Sequence, residues 1–137
     1  MSQPLFWLVS PSKTAPTISA VSSIQSGLPI EAADRLSQEI SPGDSTFKYH
    51  FVPKATYARR SSAARLSAPE SERLVRVGQL WTFALEVWGG VEAARRFMTS
   101  SHMLLDDRTP LDVALESELG GKVVENILGR LAYGAAV

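Results

Sequence analysis

The run Ser67-Ala68-Pro69-Glu70 constrains this chain more than any other stretch. A serine in that place accepts from the backbone N–H three residues ahead while the glutamate reaches back, satisfying donors that a helix start otherwise leaves without partners. Beyond it lies an apolar stripe at spacings of three and four, Leu74, Val77, Trp81, Ala84, Leu85 and Trp88, with Glu72, Arg73, Arg76, Gln79 and Glu86 on other faces. The spacing predicts one long amphipathic helix over 68–88, stopped by Gly89-Gly90. Fully burying each large side chain of the stripe contributes about 1.5–3 kcal/mol, so the rest of the chain is expected to pack around it.

The same punctuation recurs on both sides. From Thr17 to Ser26, Ile18, Val21 and Ile24 predict a short helix capped by Gly27. Pro29 suits the first turn of a second helix, whose Ile30, Ala33, Leu36 and Ile40 face one way until about Ser41. Ser41, Pro42 and Asp44 predict a cap, a first-turn proline and a favourably placed acid for a third helix over 42–50. After a break at Phe51 and Val52, Pro53 opens a fourth over 54–62. Beyond the long helix, Val91, Ala94, Phe97 and Met98 form a shorter one, and 99–108 reads as loop. Thr109-Pro110 starts another helix, with Leu111, Ala114 and Leu115 inward, until Gly120-Gly121 breaks the chain. The last helix carries Val123, Val124, Ile127, Leu128 and Leu131 and closes on Gly134. With no period-two run between hairpin turns and no internal repeat, the expected fold class is all-α.

Residues 1–16, with three prolines, read as a flexible arm on which Phe6 and Trp7 either stay loose or tuck onto the body or a partner. At 137 residues the remainder holds one domain, or two small ones sharing a core. Cysteine is absent, which excludes a disulfide framework and a cysteine nucleophile and fits a reducing, cytoplasmic setting. The apolar run Leu5 to Val9 is too short for a signal region and lacks a basic flank, so neither secretion nor membrane insertion is expected.

Catalytic chemistry finds little support. His50 and His102 lie in different segments without metal-ligand spacing, Asp106-Asp107 is an adjacent pair in a polar loop, and the glycine pairs match no phosphate-loop pattern. No nucleophile, base and orienting group assemble, so the chain is expected to be no enzyme and to use no metal or cofactor.

The charges, fourteen basic and fourteen acidic, are unevenly placed. Between Asp44 and Glu70 there is no acid, while Lys48, Lys54, Arg59, Arg60 and Arg65 are all basic. Such a patch is either a solvated face or a phosphate-binding footprint. A helix, a tight turn and a second helix at 54–60 is the arrangement of a helix-turn-helix, which favours DNA, with Lys48, Lys54, Thr56, Tyr57, Arg59 and Arg60 as candidate contacts. Two protomers each neutralising about five phosphates would give a log-affinity against log-salt slope near −9.

The groups Thr56-Tyr-Ala-Arg59-Arg60, Leu66-Ser-Ala-Pro-Glu70-Ser-Glu-Arg-Leu74 and the helix end Ala84-Leu-Glu-Val-Trp88-Gly89 together resemble the Xre/MbcA/ParS-type antitoxins. The match continues through Ala93-Ala94, Phe97-Met98, Thr109-Pro110-Leu111-Asp112 and the closing Val124-Glu-Asn-Ile-Leu128-Gly129-Arg130-Leu131 with Gly134. It covers roughly residues 50–137 well, and the rest in layout. It departs at 100–108, where family members commonly have a glycine-rich turn, and at Phe47, Tyr49 and Phe51, which make the helix-turn-helix degenerate.

The resemblance implies an Xre-like helix-turn-helix region over 17–66 and a C-terminal toxin-binding domain over 67–137, sharing the helix 68–88. It implies an antitoxin that neutralises a RES-domain toxin, an NAD-consuming enzyme similar to ADP-ribosyltransferases, by covering its NAD pocket. It also implies a homodimer within a hetero-oligomer that represses its own promoter. The candidate toxin contacts are Gly129, Arg130, Tyr133, Gly134, Ala135, Ala136 and Val137. Read from the residues alone, the small apolar tail is either a frayed terminus or a segment able to enter a cleft at low side-chain entropy cost. The mid-helix Gly129 calls for a close approach by another helix or a partner. The other function considered is a free-standing dimeric helix-turn-helix regulator without a toxin.

Overall fold

The computed structural model describes residues 18–59 and 64–134, and in it the capping arrangement at Ser67 forms as the sequence requires. The Glu70 N–H donates to the Ser67 hydroxyl oxygen at 3.2 Å, and the Ser67 N–H donates to the Glu70 carboxylate at 2.8 Å. Helix α4 then runs Ala68–Trp88, and Gly89 ends it at φ 71, a left-handed conformation that side chains disfavour. Leu74, Val77, Trp81 and Ala84 are completely buried, and α1 (Ile18–Ser26), α2 (Glu31–Ile40), α5 (Val91–Thr99), α6 (Pro110–Glu116) and α7 (Glu118–Ala132) all pack on α4. Trp88, the last member of the stripe, is 42% exposed, because the chain turns away one residue later.

Before α4, helix α1 (Ile18–Ser26) ends at Gly27, φ 86, where a Cβ would stand 2.5 Å from the Leu66 carbonyl oxygen. The close approach exists because 28–30 lies antiparallel to 64–66: the Leu66 N–H donates to Leu28 O at 2.8 Å and the Ile30 N–H to Ala64 O at 3.1 Å. The buried Ser71 hydroxyl accepts from the Leu28 N–H at 2.9 Å. Helix α2 (Glu31–Ile40) begins two residues later than Pro29 and buries Ala32, Ala33, Leu36, Ser37 and Ile40.

The third helix expected over 42–50 does not form. Residues 42–46 are turns, followed by one 3-10 turn, Phe47–His50. Asp44, not Ser41, organises the start, its carboxylate accepting from the Thr46 N–H at 2.9 Å and the Thr46 hydroxyl at 2.7 Å. A side chain that bonds the backbone two residues on gives it an alternative to the helical ladder. Phe47, Phe51 and Val52 are then buried against the core. Helix α3 is Lys54–Ala58, shorter than the 54–62 expected; 60–63 lie outside the described residues.

After α4 come α5 (Val91–Thr99), α6 (Pro110–Glu116) and α7 (Glu118–Ala132). Thr109 caps α6 as expected, accepting from the Asp112 N–H at 3.0 Å. The expected break at Gly120-Gly121 is absent: both glycines lie in the first turn of α7 and are buried. A Cβ on Gly120 would stand 2.1 Å from the Val113 carbonyl oxygen, and one on Gly121 would stand 2.9 Å from Arg76 Cδ. The pair is there for close packing, which lets α7 lie directly on α6 and α4. Ser117 is the single residue between α6 and α7, and it caps the latter by accepting from the Gly120 N–H at 2.9 Å. Val124, Ile127 and Leu128 bury the inner face of α7, whereas Val123 and Leu131 are 39% and 42% exposed.

The segment 99–108 is more ordered than the loop expected. It contains a 3-10 turn, Met103–Leu105, and a backbone bridge between His102 and Arg108. Among the described residues there is no β-strand, and no helix is long and apolar enough to cross a membrane.

Candidate functional site

Two surfaces collect the residues singled out in the sequence. The first is the basic end around α3. The Tyr57 hydroxyl donates to the Asp34 carboxylate on α2, and burial together with that bond pushes the Tyr57 pKa above the usual tyrosine value. Lys48 Nζ lies 3.6 Å from Asp34 Oδ1 and 4.7 Å from the centre of the Tyr57 ring, and the Tyr49 ring meets Tyr57 edge-on at 5.9 Å. Lys48 and Tyr57, both expected to face DNA, are thus engaged in holding α3 against α2. The Arg65 guanidinium donates to Gly27 O at 2.8 Å and is likewise committed within the chain.

Lys54 and Arg59 remain as exposed cations on and after α3, Thr56 is half-buried, and Arg60 lies outside the described residues. Exposed guanidinium and ammonium groups of this kind can contact phosphates without reading sequence. The five residues of α3 span only about 7.5 Å, and the helix that should precede it is reduced to a 3-10 turn. The degeneracy expected from Phe47, Tyr49 and Phe51 is therefore visible in the backbone.

The second surface is the outer face of α7. Positions 119, 123, 126, 130 and 133 share one line along a helix that turns 100° per residue. On that line Leu119 is 72% and Tyr133 82% exposed, and Asn126 and Arg130 also face solvent. Gly129 stands half-buried beside the line, and a Cβ on it would meet nothing within 4 Å. Among the described residues no contact accounts for this glycine. The Tyr133 N–H donates to Gly129 O at 3.0 Å, and Gly134 follows at φ 77 as the expected helix terminator. Ala135, Ala136 and Val137 lie outside the described residues.

Sequence reasoning misses Leu119 because the glycine pair after it reads as a break. It also passes over Met103 and Leu104, 83% and 62% exposed on the loop before α6; two apolar residues in a polar segment are the available signal. His50 lies against the Phe47 ring at 4.9 Å, and His102 accepts from the Leu104 N–H, so both have local packing or bonding roles. Among the described residues no group of three or more His, Cys, Asp or Glu side chains could hold a metal ion.

Each surface falls within a match to a known family. Residues 19–78, from α1 to the middle of α4, match the antitoxin Xre-like helix-turn-helix domain. Residues 83–134, from α4 to Gly134, match the antitoxin Xre/MbcA/ParS C-terminal toxin-binding domain. A search of curated proteins found no match. The all-α class and the two-part order expected from the sequence both hold, and the chain belongs to the Xre/MbcA/ParS-type antitoxins.

Proposed function

We propose that this chain neutralises a RES-domain toxin that consumes NAD, with α7 and the tail Ala135–Val137 as the inhibitory element. The observation that carries the proposal is the outer face of α7. Among the described residues it is an unpartnered line from Leu119 to Tyr133, inside the segment matched to a toxin-binding domain and followed in sequence by Gly134 and a small apolar tail. Small side chains lose little rotamer entropy on entering a pocket, so a tail of this composition suits insertion into a cleft. Gly129, Arg130, Tyr133 and Gly134 form the base of this element. Gly129 gives a partner close access to the helix backbone, and Arg130 offers a planar bidentate donor.

The chain then acts as a dimer within a hetero-oligomer in the cytoplasm, and through Lys54, Thr56, Arg59 and Arg60 it contacts promoter DNA and represses its own operon. The shortness of α3 and the internal engagement of Lys48 and Tyr57 favour toxin binding as the main activity over a free-standing DNA regulator.

The test is co-expression with the toxin encoded beside this chain. The full chain is expected to restore growth and cellular NAD, and a chain ending at Tyr133 to bind the toxin more weakly and to leave NAD depleted. Full protection by the truncated chain would overturn tail insertion, and an adjacent gene without a RES domain would overturn the choice of toxin.

A further inference from the structure

Met103 and Leu104 stand at the apex of the loop between α5 and α6, 83% and 62% exposed, and the loop beneath them is unusually well fixed. The His102 N–H donates to Arg108 O at 3.0 Å, and the Leu105 and Asp107 N–H groups both donate to His102 O, at 2.9 and 3.1 Å. The Leu104 N–H donates to the His102 imidazole Nδ1 at 3.2 Å. Leu105, the next residue, is buried and anchors the turn from below. Asp106 and Asp107 close it at consecutive positive φ values, 56 and 62, a region that aspartate tolerates better than most residues with a Cβ.

We propose that Met103 and Leu104 form a preformed knob that inserts into an apolar pocket on the toxin, a second contact away from the tail. This rests on the toxin-binding reading of α7. A loop whose backbone is so fully bonded has already lost its conformational entropy, so docking its apex costs little further ordering. The His102 ring also meets the buried Phe97 edge-on at 6.2 Å, which fixes the loop on its α5 side.

The occupant follows from size, position and charge. A stable interface needs about 800 Å² from each partner, far more than two side chains supply, so the knob does not hold a second copy of this chain by itself and serves a partner gripped elsewhere. Its base is tied to the end of α6, where the Arg108 guanidinium lies 3.1 Å from the Glu116 carboxylate. The knob falls within 83–134, the segment matched to a toxin-binding domain, so the partner of that domain is the occupant the surface points to. The exposed carboxylates of Asp106 and Asp107 directly behind the apex disfavour an anionic lipid surface and call for a pocket with a basic rim.

The test compares the full-length chain with Met103→Ser/Leu104→Ser, titrated calorimetrically against a catalytically inactive RES-domain toxin from the same operon. Both positions are exposed, so the melting temperature of the free chain is expected to stay unchanged. The double variant is expected to bind at least about tenfold more weakly. Leu119→Asp serves as the reference for the α7 surface, because an acid in the first helical turn is compatible with folding. Weaker binding by Leu119→Asp with unchanged binding by the double variant would overturn the knob alone. Absence of binding by the wild-type chain would overturn the toxin reading and the knob with it. A wild-type chain that self-associates in light scattering, and loses this in the double variant with toxin affinity unchanged, would make the knob a contact between copies and overturn the proposal.

Discussion

Arg76 of α4 lies across Gly121 of α7, its Cδ where a Cβ on residue 121 would come within 2.9 Å. The same side chain donates from Nε to Ala114 O at 2.7 Å and from Nη2 to Leu115 O at 3.2 Å, so it satisfies carbonyls at the end of α6. Both Glu72 carboxylate oxygens accept from its Nη1, at 2.6 and 2.7 Å. One side chain, 12% exposed, thus joins α4 to α6 and to α7, whose outer face is the proposed toxin-binding surface.

Arg76→Ala is therefore expected to cost about 2–4 kcal/mol in urea unfolding, because it leaves carbonyls and a partly buried carboxylate without their donor. Arg76→Lys keeps the charge but loses the planar fork, and is expected to recover less than half of that loss. Full recovery by lysine would mean that charge alone, not the bonds to α6, holds the corner.

Gly120→Ala is expected to be worse than Gly121→Ala. At 120 the obstacle is the Val113 backbone oxygen, 2.1 Å from the added carbon, so α7 must lift off α6 at a cost of about 3 kcal/mol or more. At 121 the obstacle is a side chain, and alanine's higher helix propensity offsets about 1 kcal/mol. Thermal melts of the two variants check the order; equal losses would contradict it.

The same corner marks the limit of what the sequence displays. The caps at Ser67 and Thr109 and the terminators Gly27, Gly89 and Gly134 are legible because each acts through its own few residues of backbone. Gly120-Gly121 has the same appearance in sequence but a different cause, contact with Val113 and Arg76 from other helices, which local rules do not contain. The basic segment divides in the same way. Its charge is plain from composition, but Lys48 and Tyr57 are drawn inward by Asp34, a residue of another helix. Of the outer face of α7, Arg130 and Tyr133 come through the family resemblance, while Leu119 is lost with the misplaced break.

Tyr57 gives the chain a pH dependence at the alkaline end. Its folded pKa lies above the value of about 10 for an unfolded tyrosine, through burial and the bond to Asp34. The stability it contributes is full below about pH 10 and is lost as pH rises through the folded value. Tyr57→Phe is expected to cost about 1 kcal/mol at neutral pH and to flatten the fall in melting temperature above pH 10. An unchanged alkaline slope in Tyr57→Phe would assign that fall to other groups.

The salt dependence of DNA binding separates the cations that face solvent from those engaged inside. If all five basic residues between Asp44 and Glu70 met phosphates, a dimer would give a slope near −9. With Lys48 paired to Asp34 and Arg65 bonded to Gly27 O, the exposed Lys54 and Arg59 remain together with Arg60, which lies outside the described residues; if all three meet phosphates, the expected slope falls to about −5. Lys54→Ala and Arg59→Ala are each expected to reduce it further, by about 2 per dimer, with no change in melting temperature. Lys48→Ala is expected to do the reverse, lowering the melting temperature by loosening α3 from α2 while leaving the slope nearly unchanged. Anisotropy of a labelled promoter fragment between about 50 and 200 mM salt measures the slopes. A Lys48→Ala chain that melts normally but loses as much slope as Arg59→Ala would place Lys48 on the DNA and not in the cluster with Asp34 and Tyr57.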